Sequence, residues 1–346
     1  MSNAVAAWGA SAAGALLKPM TIQRREVMPF DIEMEIMFCG ICHSDLHVVK
    51  NDWGATQYPV VPGHEILGRV VRVGSEVTQF QPGDWAGVGC IVDSCRNCAY
   101  CQEGNEQFCE NGWTVVFNAV DKKYGGITYG GFSKKLVVDA RYAVLIPEAL
   151  RQAAAAPILC AGITVYSPLR HWQAGAGKKV GIMGMGGLGH MAIKMARAMG
   201  AEVTVFTTSA KKTEDALRLG AHHVVVTTDA QQMKTVARQD MLLDTISAPH
   251  EVNAFLRLLK VDGAMVLVGL PNEPLMINGF SVVSGRRSFA GSNIGGIAET
   301  QEAINFCAHH RLLADVEIIS PDELNQAFER LEKGDVKYRF VIDMHR

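Results

Sequence analysis

The sequence predicts an α/β protein in two parts, an all-β, barrel-like domain and a doubly wound parallel sheet, and three observations carry that expectation. Alternating apolar and polar runs bounded by Gly and Pro turns fill the chain to about residue 150. A short apolar run, Val180-Gly-Ile-Met183, then enters Gly184-Met-Gly-Gly-Leu-Gly189 directly and continues as a helical pattern. Beyond it, apolar strand runs alternate with helical patterns as far as Ser288 to Gly291, the rhythm of a parallel sheet with crossover helices.

Length and composition agree with two soluble domains. A chain of 346 residues exceeds what one hydrophobic core usually organises. With 48% hydrophobic residues, 20% charged residues and 34 glycines, the composition is that of a packed, glycine-punctuated globular enzyme. A formal charge of -2 gives no general electrostatic reason to expect nucleic acid or an acidic membrane as partner. The N-terminus lacks a basic stretch followed by a long apolar run, and no segment of about twenty apolar residues follows, so a cytoplasmic protein is expected.

In the first domain, Ile32-Glu-Met-Glu-Ile-Met37 and Gly68-Arg-Val-Val-Arg-Val73 read as strands, and Pro82-Gly-Asp84 turns the chain into Trp85-Ala-Gly-Val-Gly89. Between the first two runs lie Cys39-Gly-Ile-Cys-His-Ser-Asp-Leu-His47 and Val61-Pro-Gly-His-Glu65. Thiol, imidazole, hydroxyl and carboxylate groups are concentrated there, where a purely structural segment would be apolar. A borderline-soft ion such as zinc favours thiolate and imidazole, so this stretch is a candidate metal site with proton carriers beside it.

A second metal motif interrupts the same domain. Cys95, Cys98, Cys101 and Cys109 form C-x2-C-x2-C-x7-C among polar, turn-forming residues. In a reducing compartment such a cluster binds metal more readily than it forms disulfides, and four thiolates leave no open position, so a structural zinc site is expected. An iron–sulfur cluster is the competing reading of that spacing. Cys39, Cys90 and Cys307 remain, and are read as small buried apolar residues.

In the second domain the glycines of Gly184 to Gly189 permit a tight turn and close backbone approach, and the helix that follows offers its N-terminus to a pyrophosphate. Strands are expected at Glu202 to Phe206, His223 to Val226, Leu242 to Ile246, Ala264 to Val268 and Ser288 to Gly291, with helices at Thr213 to Leu219 and Glu251 to Leu259. The amphipathic runs Thr300 to Cys307 and Asp322 to Leu331 lie beyond the sixth strand and are expected to rejoin the first domain.

The ordered set GICHSDLH, VPGHE, C-x2-C-x2-C-x7-C, LCAGIT, GMGGLGH and KYRFVID resembles the zinc-dependent medium-chain dehydrogenase/reductase superfamily. Within it the likeness is to the cinnamyl-alcohol-dehydrogenase-like group and its bacterial NADPH-dependent broad-specificity aldehyde reductases, from about residue 10 to the C-terminus. The resemblance implies a GroES-like catalytic domain over residues 1–152 with a structural-zinc lobe at 90–112, a Rossmann domain binding NADP over 153–292, and a return to the catalytic domain over 293–346. It implies two zinc ions per chain, one catalytic and one structural, and a homodimer joined through the edge strand near Ser288 to Ile294.

By the same resemblance Cys42, His64 and Cys160 hold the catalytic zinc, with Glu65 an occasional fourth ligand. Asp45 accepts the other ring N–H of His64, and Ser44 with His47 forms a proton relay. Thr164 packs on the nicotinamide, Arg339 contacts the pyrophosphate, and Gly184, Gly186, Gly187, Leu188, Gly189, Gly269, Ser292 and Ile294 belong to the cofactor site. Trp53 and Trp113 match substrate-pocket positions, while Asn293 departs from the aromatic or aliphatic residue of the plant lignin enzymes.

Cofactor choice is read from the residues as well. An NAD site ends its second strand with an acidic residue that bonds the ribose 2′-hydroxyl. Here Glu202-Val-Thr-Val-Phe206 runs into Thr207-Thr-Ser-Ala-Lys-Lys212, so Thr207, Thr208, Ser209 and Lys212 are expected to bind a 2′-phosphate. The activity that the resemblance implies is reversible reduction of aldehydes to primary alcohols with NADPH. The alternatives are an NAD-dependent polyol or alcohol dehydrogenase, a dedicated cinnamyl alcohol dehydrogenase, and a non-enzymatic relative without zinc.

Overall fold

The computed structural model describes residues 3–346, which form two compact units: the chain up to Cys160 together with Gly295–Arg346, and Ala161–Ile294.

The first unit opens with the antiparallel pair β1 (Ala4–Gly9) and β2 (Lys18–Gln23). Next come β3 (Asp31–Ile41), helix α1 (His43–Lys50), β4 (Ile66–Val73) and β5 (Trp85–Val88). A small lobe holds β6 (Ile91–Asp93), α2 (Ala99–Gln102) and β7 (Thr114–Val115), and the chain returns through β8 (Lys135–Asp139) and β9 (Val144–Leu145). Period-two alternation explains β3, the central strand: Ile32, Met34 and Ile36 are fully buried while Glu33 and Glu35 lie on the other face. Each such apolar side chain contributes about 1.5–3 kcal/mol by leaving water.

The second unit runs α3 (Ala161–His171), β10 (Lys179–Met183), α4 (Gly189–Ala198), β11 (Glu202–Thr207), α5 (Thr213–Leu219), β12 (His223–Val226), α6 (Ala230–Thr235) and β13 (Gln239–Asp244). It closes with α7 (Val252–Leu256), β14 (Leu259–Leu267), α8 (Gly279–Val283) and β15 (Ser288–Gly291). All six strands are parallel in the order β12-β11-β10-β13-β14-β15, so the order reverses beside β10, where doubly wound sheets bind ligands. Met183, Phe206, Leu242 and Met265 pack one face of this sheet on Val252, Phe255 and Leu256 of α7. β14 begins earlier than its apolar run predicts because Leu259 pairs with Gln239 across an irregularity in register.

The chain then returns to the first unit as α9 (Ile297–His310), β16 (Val316–Ile319), α10 (Leu324–Glu332) and β17 (Arg339–Asp343). The resulting sheet is ordered β16-β17-β3-β4-β5-β9, with β8 also on β3. Residues Ala153–Leu159, expected to open the second domain, form a 3-10 segment that packs on β3, β4 and β17 of the first unit. Their run of buried Ala155, Ala156, Ile158 and Leu159 explains the difference, since it covers the apolar face of that sheet. Among the described residues, no helix is long and apolar enough to cross a membrane.

Candidate metal centre and nucleotide site

The first cluster is assembled from three separated parts of one unit. Cys42 is the N-cap of α1, His64 and Glu65 precede β4, and Cys160 ends the 3-10 segment. One ligand atom from each lies within 4.8 Å of the others.

Asp45 fixes this arrangement. It is fully buried, its Oδ2 accepts the Cys42 backbone N–H at 2.9 Å, and its Oδ1 accepts from Gly63 N at 2.8 Å and from His64 Nδ1 at 3.0 Å. A carboxylate can only accept, so Nδ1 of His64 carries the proton and Nε2 offers its lone pair. Burial disfavours the charged imidazole, but the Asp45 carboxylate outweighs it and raises His64 well above the usual range. The hydrogen bond shared with Cys160 holds the Cys42 thiol well below its ordinary value and pushes Cys160 well above.

The buried Nε2 of His64 and Oε2 of Glu65 have no hydrogen-bond partner in the protein. Buried polar atoms are seldom left so, and two orphans beside two thiols form a donor set that a zinc ion satisfies at about 2.0–2.3 Å from each ligand. The residues present fit that ion. Arg339, expected on a pyrophosphate, is buried and ion-paired with Oε1 of Glu65. Cys90, read from sequence as a small buried residue, is half-buried, and the neighbouring Cys160 and the field of His64 lower its thiol against the opposing effect of burial. Cys39 and Cys307 are core thiols as expected, and burial pushes Cys307 up to about 12.

Helix α1 also carries the candidate proton carriers. Ser44 and His47 are three residues apart and so share a face. Ser44 Oγ lies 3.8 Å from the Cys42 sulfur, and His47 Nδ1 is 2.7 Å from Asp52 Oδ2. The sequence reading missed Asp52. Asn51 ends α1 in the left-handed conformation and folds the next residue back, so that Asp52 N bonds His47 O at 3.0 Å. Trp53 is exposed and packs on the His47 ring at 5.3 Å between centroids, and Trp113 is half-buried just before β7.

The four-cysteine lobe is local. Cys95 N and Cys98 N point at the sulfurs of Cys109 and Cys95, each at 3.4 Å, and Cys95 and Cys101 sulfurs are 3.9 Å apart. All four ligand atoms gather within 4.8 Å, none in a disulfide. The Asn111 side chain and nearby backbone N–H groups bring Cys95 down to about 6, a thiol ready to ligate.

In the second unit Gly184 leaves β10 at φ +89° and Leu188 caps α4. A Cβ on Gly189 would meet Gly184 O at 2.3 Å, whereas one on Gly186 would meet nothing, so the turn is tight at its base and open above Gly186. Gly187 is half-buried beside it. Past β11, Ser209 N bonds Thr207 Oγ1 at 3.3 Å, Thr208 is exposed, and Lys212 Nζ reaches Met185 O at 3.3 Å, so this ammonium stands over the glycine turn. No carboxylate ends β11. Thr164 is buried in α3, Gly269 follows β14 against Ile246, and Ser292, exposed Asn293 and Ile294 follow β15.

Residues 28–148 match the alcohol dehydrogenase GroES-like domain family, and residues 187–309 match the zinc-binding dehydrogenase family. The chain is 53% identical over 342 residues to the aldehyde reductase YahK of Escherichia coli, covering 98% of each. It is 52% identical over 343 residues to NADP-dependent alcohol dehydrogenase C 1 of Mycolicibacterium smegmatis, covering 99% of this chain and 98% of that protein. Among solved structures a cinnamyl alcohol dehydrogenase from Sorghum bicolor superposes with a TM-score of 0.95 at 46% identity, covering 98% of this chain and 97% of the other.

Proposed function

The chain belongs to the zinc-dependent medium-chain dehydrogenase family, and from that membership we propose that it reduces aldehydes to primary alcohols, reversibly, with NADPH. The observation that carries the proposal is the buried donor set of Cys42, His64, Glu65 and Cys160 with its orphaned Nε2 and Oε2. When bound, zinc supplies Lewis acidity to a carbonyl oxygen and NADPH supplies hydride. Cys42, His64 and Cys160 would hold the metal, with Glu65, whose other oxygen pairs with Arg339, as an occasional fourth ligand. Asp45 keeps His64 in the ligating tautomer. Ser44 gives its hydroxyl proton to the oxygen of the forming alcohol, and His47, oriented by Asp52, restores it from solvent.

The lobe cysteines Cys95, Cys98, Cys101 and Cys109 would hold a second, structural zinc. Thr207, Thr208, Ser209 and Lys212 would bind the 2′-phosphate, and Thr164, Gly184, Gly186, Gly187, Leu188, Gly189, Gly269, Ser292 and Ile294 the rest of the cofactor. Trp53, Trp113 and Asn293 would border the substrate. Nine cysteines, all free, suit the reducing cytoplasm. A homodimer through the edge strand β15 is supported by the exposed Met276, Phe280 and Val283 close to it in sequence. A panel of aliphatic and aromatic aldehydes assayed with NADPH and with NADH tests the proposal. Turnover with NADPH is expected, and absence of turnover across the panel refutes it.

A further inference from the structure

We propose that His250 is a positioning residue for the cofactor, its imidazolium locking the segment 245–250 in place as the wall of the glycine turn. The inference rests on the cofactor reading above and concerns residues to which that reading gives no role.

Asp244, at the end of β13, is fully buried and organises this segment. Its Oδ1 accepts from Ile246 N at 3.1 Å, its backbone oxygen accepts from Val268 N and Gly269 N at 2.9 and 3.0 Å, and its Oδ2 faces His250 Nε2 at 2.8 Å. The other ring nitrogen, Nδ1, faces Ala248 O at 2.9 Å. Both partners are acceptors, so the ring satisfies them together only when each nitrogen carries a proton. The hydrogen bond to Asp244 raises His250 above its ordinary range against the opposing effect of burial, and Ala248 O and the Glu251 carboxylate at the head of α7 add to it. Asp244 from β13 and Glu251 are the charged groups acting on the ring.

What the clamp holds is the surface of the nucleotide turn. Thr245 Oγ1 donates to Met183 O at 2.7 Å, at the end of the strand that delivers the turn. A Cβ on Gly184 would lie 3.0 Å from Thr245 Oγ1 and 3.1 Å from the Ile246 side chain, and one on Gly269 would lie 2.4 Å from Ile246 O. The segment is thus in contact with the first glycine of the turn and with Gly269 after β14, and its placement fixes theirs. Loss of one proton leaves the ring able to donate to only one of its two acceptors, so the clamp is complete below the raised pKa and is lost as pH rises through it.

The test is equilibrium binding of NADPH to the zinc-loaded protein, read by nucleotide fluorescence from about pH 7.5 to about pH 9.5, where the 2′-phosphate, with a second pKa of about 6, is almost fully ionised. Wild-type affinity should fall roughly tenfold across that range. His250→Gln, which keeps a donor toward Asp244 but does not titrate, should show a flat profile, and His250→Leu should bind weakly throughout. In all three proteins kcat at saturating NADPH should change less than KM. Parallel pH profiles for wild type and His250→Gln overturn the role of His250 and leave the proposed cofactor intact. A wild type that binds no NADPH at any pH overturns both.

Discussion

The two cysteine clusters use the same element chemistry in opposite ways. In the lobe, the four sulfurs come from one stretch, Cys95 to Cys109, and backbone N–H groups of that stretch turn toward them. In the other cluster Cys42, His64, Glu65 and Cys160 come from three distant segments, the first two of them tied by the carboxylate of Asp45. The first arrangement is closed and needs nothing else. The second keeps orphaned atoms, one of them on the Glu65 carboxylate that also pairs with Arg339. On the proposed reading, a local cluster of identical ligands would contribute to folding, whereas a mixed cluster assembled over long range would hold its ion with reactivity to spare.

Breaking each cluster should give different signatures. Cys160→Ser or His64→Ala is expected to lower kcat at least a hundredfold, since a lost electrophile costs several kcal/mol in the transition state, with the thermal midpoint little changed. Near-normal turnover in such a variant shown to have lost that ion would end the catalytic assignment. Cys98→Ser should do the reverse, lowering the Tm by roughly 10 °C or more and cutting soluble yield, because structural zinc binding is folding free energy. Unchanged melting by calorimetry would dissolve the contrast. Asp45→Asn sharpens it: zinc affinity at the mixed cluster or turnover should drop about 10- to 100-fold, with the lobe metal retained. The smallest expected change is Lys212→Ala, which should raise KM for NADPH about tenfold and leave KM for NADH as it was. Equal losses with both cofactors would mean that Lys212 does not read the phosphate.

What was legible in the sequence follows the same division. The lobe cysteines, the strand-turn-helix at Gly184 to Gly189 and the absence of a carboxylate after β11 are local patterns, and they stand in the structure where the sequence put them. The partners that depend on tertiary approach were not legible. Glu65 and Arg339 are separated by 274 residues, and nothing near either one signals the pair. Cys90 reads as one more small apolar residue until Cys160 is brought against it. Asp52 had a signal, since Asn51 at a helix end favours the left-handed turn that returns the next side chain to His47. The 3-10 run Ala153–Leu159 is ambiguous from sequence because its apolar residues fit either core, and only the sheet of the first unit decides between them.

Metal content measured by mass spectrometry on wild type, Cys160→Ser and Cys98→Ser tests most directly that one chain carries two zinc sites of different kind. The expected result is about two zinc ions per wild-type chain and about one in each variant, with the zinc that remains supporting turnover only in Cys98→Ser. A single zinc in the wild type, or iron with iron–sulfur absorbance at the lobe, would contradict it.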